Sequence, residues 1–98
     1  MMTAEASTSQ DERDGWIALN LVPDIGGAKL RAIKERFGSS LRALGHSAPV
    51  YDAIPGMGTE TAKAAAKIIL EQGRRERERA ESLGIHILLW EEIGRAHV

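Results

Sequence analysis

The chain has 98 residues, of which 43% are hydrophobic and 28% are charged, and this length accommodates one small domain with a modest core. It contains no cysteine, which excludes a disulfide framework and a thiolate metal site, and its three histidines share no ligand spacing, so we expect neither a metal nor another cofactor. The net charge of −1 is uneven, with −3 on residues 1–14 and +3 on residues 15–90, and a mildly basic folded part permits a polyanionic partner.

The first residues of the chain resemble neither a secretory signal nor a membrane anchor. They carry acids where a signal peptide carries bases, and no segment approaches the ~20 apolar residues of a membrane helix. We therefore expect a soluble, cytoplasmic protein without a membrane partner. Residues 1–14 hold too little apolar surface to order themselves, which predicts a disordered tail.

Residues 15–84 predict an all-α domain, a small bundle of about five helices. The first helix has Asp14 as its N-cap and ends before Pro23. The second follows the sequence VPDIGG and ends at Gly38, which occupies the left-handed C-cap position.

Two short helices, at about residues 41–44 and 48–53, are each preceded by a capping serine. The longest helix is predicted over residues 59–83, and Gly73 within it indicates a bend or a close contact. Residues 74–81, RRERERAE, are almost wholly charged. We interpret them as a solvated helix face with ion pairs three or four residues apart rather than as a DNA-contacting stripe.

The C-terminal residues predict a different kind of structure. Residues 85–90, IHILLW, are typical of a buried strand, and we interpret residues 85–91 as the start of a further domain. Residues 92–98 match the translation of a common sequencing-library adapter. We interpret them as an artefact and assign them no function.

Two short segments share the pattern apolar-Pro-x-apolar-Gly, at residues 22–26 (VPDIG, called turn 1) and 54–58 (IPGMG, called turn 2), 32 residues apart. Glycines allow positive φ and bring amide N–H groups to the surface, and a helix N-terminus adds unpaired donors and a partial positive charge. Each turn can therefore hold a phosphate oxygen. The alternative is a tight corner between two helices that binds nothing.

The duplicated pattern resembles the helix-hairpin-helix motif and its paired (HhH)2 arrangement. That resemblance implies sequence-independent contact with DNA phosphates through Ile25, Gly26, Gly27 and Lys29 at turn 1, and through Gly56, Met57, Gly58, Thr59 and Lys63 at turn 2. Turn 1 departs from the motif, because Asp24 stands where a glycine is usual and places a carboxylate beside the phosphate. We therefore expect turn 1 to be mainly structural.

A narrower resemblance covers most of residues 15–92. The order WIALNLVPDIGGAKLRAIKERFGS, a helical spacer, AIPGMGTETAKAAAKI and AESLGIHILLWEE is similar to the N-terminal helical domain of the DNA-processing protein A (DprA) family. That family implies a DNA-binding accessory domain with weak affinity for single- or double-stranded DNA. In the longer protein it implies a Rossmann-like domain that starts at residues 85–91, self-association, and loading of the recombinase RecA during natural transformation.

Two other interpretations remain open. An (HhH)2 module can belong to a DNA repair nuclease or a ligase, and a helical domain with two tight corners can serve protein interaction alone. The sequence shows no paired carboxylates and no nucleophile–base pair, so we expect no catalytic residues and no enzyme activity.

Overall fold

The computed structural model describes residues 2–84, with side chains from residue 9 onward. It contains six helices: α1 (Met2–Leu21), α2 (Gly27–Phe37), α3 (Ser40–Ala43), α4 (Ala48–Asp52), α5 (Thr59–Lys67) and α6 (Leu70–Ser82). Within residues 2–84 there is no strand, which confirms the all-α prediction for this part of the chain. The predicted strand at residues 85–90 and the adapter-like residues 92–98 lie outside the described residues.

One apolar core joins α1, α2, α3, α4 and α5. Its largest fully buried apolar side chains are Leu19, Ile33, Tyr51 and Met57. These residues come from α1, α2, α4 and turn 2, so both predicted turns lie against the core rather than on projecting loops. The turns are therefore held rigidly by the burial of their own apolar residues.

The N-terminal helix is longer than the sequence predicted. Asp14 does not cap α1, which begins at Met2 and covers most of the segment predicted to be disordered. The Glu12 carboxylate accepts a 2.8 Å hydrogen bond from the Ser40 amide, and the Glu12 carbonyl accepts one of 2.6 Å from the Ser40 hydroxyl. Composition does not reveal these contacts, because the polar residues of α1 pair with α3 and α6 instead of burying apolar surface.

The predicted long helix at residues 59–83 is two helices, α5 and α6. They are separated by Ile68 and Ile69, whose extended backbones have ψ values of 142° and 159°. Ile68 packs partly buried against the core, and the Gln72 side chain accepts a hydrogen bond from the Ile69 amide at 3.1 Å. β-Branched residues favour extended backbone, and Gln72 offsets the cost of starting a second helix by satisfying one free donor.

The break turns α6 back onto α1 in an antiparallel arrangement. Gly73 lies against the backbone of Asp14 and Ala18. Arg77, one turn further along α6, donates a hydrogen bond to the Asp14 carboxylate. A Cβ at Gly73 would overlap the Asp14 carbonyl oxygen and lie 2.8 Å from the Ala18 nitrogen. The predicted close contact at Gly73 is thus confirmed, whereas the bend lies at Ile68 and Ile69.

A small aromatic cluster fixes the connection between α3 and α4. The His46 ring stacks on Phe37 with ring centroids 4.8 Å apart, and the His46 amide donates a hydrogen bond to the Tyr51 hydroxyl at 3.3 Å. The Tyr51 hydroxyl in turn donates to the Ala43 carbonyl. His46 lies in the loop between α3 and α4, and its contacts here are structural.

Candidate phosphate-binding site

Turns 1 and 2 have closely similar backbone structures. Three hydrogen bonds of 2.9–3.2 Å recur at an offset of 32 residues. Their donor amides are those of Val22 and Ile54, Ile25 and Met57, and Leu30 and Ala62. The sequence similarity between the turns is therefore matched by local geometry, including the first turn of the helix that follows each of them.

Burial repeats with the same offset of 32 residues. Five pairs of equivalent positions are buried: Leu19 and Tyr51, Val22 and Ile54, Ile25 and Met57, Leu30 and Ala62, and Ile33 and Ala65. The repeat thus extends over residues 19–33 and 51–65, from the end of one helix into the second turn of the next. We call these two segments unit 1 and unit 2.

Two of the predicted contact residues are buried in the core. The side chains of Ile25 and Met57 are buried, and their amides donate to the carbonyls of Val22 and Ile54. Their backbone donors are already satisfied, so we leave both residues out of the candidate site. They hold the turns in place.

Turn 2 presents a compact set of free donors. Gly56 and Gly58 are exposed, with φ values of 83° and 87°, and nothing lies within 4 Å of where their Cβ atoms would be. Their amides make no backbone hydrogen bond to another described residue. Gly58 is the N-cap of α5, so Thr59 is the first helical residue. The amides of the first α5 turn have no partner within the helix.

One basic side chain stands beside these amides. Lys63 lies one turn into α5 and is 60% exposed, and its ammonium group is 3.4 Å from the Glu60 carboxylate, which is 88% exposed. An ion pair this exposed contributes little free energy and exchanges readily with another anion. The predicted residues Gly56, Gly58, Thr59 and Lys63 are therefore brought together at one exposed helix end.

Turn 1 differs at the positions that matter for an anion. Asp24 occupies the position of Gly56 with a φ of 74°, and its side chain is exposed. Gly26 has extended backbone (φ −103°, ψ −160°), unlike Gly58, so its amide lies in a different local geometry. Gly27 is exposed at the start of α2. Turn 1 thus combines exposed amides with a carboxylate.

The basic residues that follow turn 1 differ in their exposure and in their equivalents in unit 2. Lys29 is half-buried, and its equivalent in unit 2 is the buried Thr61. The residue 32 positions before Lys63 is Arg31, which is exposed. By the offset of 32 residues, Arg31 rather than Lys29 is therefore the equivalent of Lys63.

The arginines of α6 are engaged in ion pairs, as predicted for a solvated face. Arg74, Arg75, Arg77 and Arg79 pair with glutamates three or four residues away, at 2.7–3.9 Å. Arg74 and Arg77 also pair with Asp11 and Asp14 of α1. By contrast, residues 22–67 carry seven Lys/Arg and four Asp/Glu, a net charge of +3. The net positive charge of the described residues therefore lies between turn 1 and the end of α5, and not on α6.

Other kinds of site find no support in the described part of the chain. Between residues 2 and 84, no three His, Asp or Glu side chains lie close enough together to hold a metal ion. None of the helices in this range is long and apolar enough to cross a membrane.

No protein family, curated protein or solved structure matches this chain. The function is accordingly argued from turn 2, its helix and the charges around them.

Proposed function

We propose that this chain is a DNA-binding module that holds backbone phosphate at turn 2 without distinguishing bases. The proposal rests on one observation. Two exposed glycines with positive φ, Gly56 and Gly58, lie beside the N-terminus of the nine-residue helix α5 with Lys63 one turn away. Amide donors, the helix dipole and a mobile ammonium group together suit a phosphate oxygen.

The chemistry of these groups supports binding without sequence specificity. Backbone amides and a lysine recognise the phosphate, which is the same for every base. A phosphate would displace Glu60 from Lys63 at little cost, because both side chains are largely exposed. With few cationic contacts, we expect weak affinity that falls with salt by a small slope, about 0.7–0.9 for each phosphate neutralised.

We further propose that the module serves a recombination mediator of the DprA type, in which RecA and a second copy are partners of the longer protein. The support is the order of sequence segments described above. A module of a repair nuclease or ligase would use the same phosphate contact. The sequence downstream in the gene distinguishes them, since a phosphate-binding loop supports the first, and catalytic acids or a nucleotidyl lysine support the second.

The two units provide a matched test of the contact at turn 2. We would measure binding of a fluorescein-labelled duplex and a single strand by fluorescence anisotropy, comparing Lys63→Gln with Arg31→Gln at the equivalent position. At ~50 mM salt the loss of one phosphate contact should weaken binding by Lys63→Gln about five- to tenfold. Arg31→Gln should weaken it less than about twofold, because Asp24 already disfavours an anion at turn 1.

Two results would contradict the proposal. Equal losses in both variants would remove the assignment to turn 2. No binding by the unmodified chain at low salt would favour the protein-interaction interpretation. The groove of about 330 Å³ beside Pro23 and Ile68 would then be the surface to examine.

A further inference from the structure

We propose that phosphate contacts continue from turn 2 along the exposed side of α5 to Lys67, so that this helix follows consecutive phosphates of one nucleic-acid strand. The inference rests on the proposed function and adds the path of the bound strand. It assigns a binding role to Lys67, a residue outside both turns.

The spacing along α5 fits a run of phosphates. Thr59, Lys63 and Lys67 are each four residues apart and all exposed, so they lie on one side of the helix with an axial separation of about 6 Å. Neighbouring phosphates on one strand are ~3.4 Å apart along a duplex axis, and further apart through space because the backbone winds around that axis. The first helical turn, Lys63 and Lys67 can therefore each meet a different phosphate of one strand.

The direction of helical side chains supports a continuous path. Side chains in an α-helix lean toward its N-terminus. Lys63 thus leans toward the amides of turn 2, and Lys67 leans toward the turn that carries Lys63. None of the ion pairs among the described residues involves Lys67, so its ammonium group has no competing carboxylate there.

The repeat shows that this arrangement belongs to unit 2 and its helix alone. The residue 32 positions before Lys67 is Glu35, which is exposed on α2. The residue 32 positions before Gly56 is Asp24, which lies in the turn that precedes α2. The corresponding path on α2 thus has an acidic residue at each end. On α5, the glycine turn and the two lysines have one acidic residue among them, Glu60, which pairs with Lys63. We infer that a strand follows α5 and not α2.

The dependence of affinity on salt tests the path. We would titrate the full chain into fluorescein-labelled oligothymidylate at several potassium chloride concentrations and compare Lys63→Gln, Lys67→Gln and Lys67→Arg. Each lysine that neutralises one phosphate contributes about 0.7 to the slope of log affinity against log salt on a single strand. We expect Lys67→Gln to lower the slope by this amount, as Lys63→Gln does, and Lys67→Arg to retain it.

Two further variants separate a local contact from general electrostatics. Arg75→Gln removes a positive charge from an exposed residue of α6 and should leave the slope unchanged. Adding Glu35→Lys to Lys67→Gln raises the net charge to one unit above that of the unmodified chain, at the equivalent position on α2, and should not restore the slope.

The possible outcomes distinguish this inference from the proposal on which it rests. An unchanged slope in Lys67→Gln, or recovery of the slope when Glu35→Lys is added, would overturn the path along α5. If Lys63→Gln still lowered the slope, the proposed phosphate contact at turn 2 would stand. If Lys63→Gln also had no effect, both would fail.

Discussion

The Asp14 carboxylate and the Arg77 guanidinium are joined by two hydrogen bonds, at 2.7 and 3.3 Å, although the residues are 63 positions apart. Asp14 is fully buried, and Gln10 donates a further hydrogen bond to the same carboxylate at 3.2 Å. The hydrogen bond to Asp14 raises the pKa of Arg77 further above its ordinary value, which keeps the guanidinium charged. This pair connects α1 with α6.

Removal of the guanidinium should therefore destabilise the fold. Arg77→Ala leaves the Asp14 charge buried without its main partner, and we expect the free energy of unfolding to fall by about 3 kcal/mol. Urea denaturation followed by circular dichroism measures this. Arg75→Ala is the control, since Arg75 is 75% exposed and its loss should change stability by less than about 0.5 kcal/mol. Similar losses in the two variants would contradict a special role for the buried pair.

The close contact between α1 and α6 at Gly73 leads to a second prediction. Gly73→Ala would place a methyl group against the Asp14 carbonyl oxygen, and backbone atoms cannot rotate away. We expect the helices to separate and stability to fall by about 2–3 kcal/mol. Gly26→Ala is the matched control, because Gly26 has extended backbone and open space around it. Its thermal midpoint should change far less than that of Gly73→Ala, and the reverse order would exclude the packing explanation.

Tyr51 is the one tyrosine of the chain, so its ionisation can be followed directly by ultraviolet absorbance. Burial raises the pKa of the Tyr51 phenol above its ordinary value of 10.0, against a smaller lowering effect of the hydrogen bond from the His46 amide. The folded state therefore favours the neutral phenol. The resulting stability is fully present below pH ~10 and is lost as the pH rises through the raised native pKa.

We expect tyrosinate to form at higher pH in the native protein than in urea. Alkaline unfolding should follow at a slightly higher pH than this ionisation. Tyr51→Phe should be less stable at neutral pH by about 1–3 kcal/mol, because the Ala43 carbonyl and the His46 amide lose their partner. The stability of Tyr51→Phe should also depend less on pH above ~10. Coincident titration of native and unfolded protein would contradict this account.

Asp24 makes the two units unequal, and its replacement should make them more alike. Asp24→Gly removes an exposed carboxylate and relieves a positive φ of 74°, so DNA affinity at low salt should rise about twofold with stability changed by less than about 1 kcal/mol. Asp24→Asn removes the charge while tolerating the same backbone. Equal gains in both variants that vanish at high salt would identify charge as the cause, whereas weaker binding in either would contradict it.

Much of the local structure could be predicted because single residues determine it. Gly38 ends α2 with a positive φ, and Ser39 accepts a hydrogen bond from the Arg42 amide at the start of α3. The two turns were found from their glycines and prolines, and four of the predicted contact residues are brought together at turn 2.

The errors concern relationships between distant residues. The N-terminal helix depends on Glu12 reaching Ser40 and on Asp14 reaching Arg77, and neither pairing has a local signature. The break at Ile68 and Ile69 follows from the packing of α6 on α1, while the alanine-rich sequence on its own favours one continuous helix.

The antiparallel packing of α6 on α1 also has a consequence for the order of folding. Each unit joins residues close in sequence, whereas contact between Asp14 and Arg77 requires the closure of a loop of about sixty residues. We expect the two units to gain protection from hydrogen exchange early and α1 with α6 to gain it last. The sub-global opening of lowest energy would then separate α6 from α1 while leaving turn 2 folded.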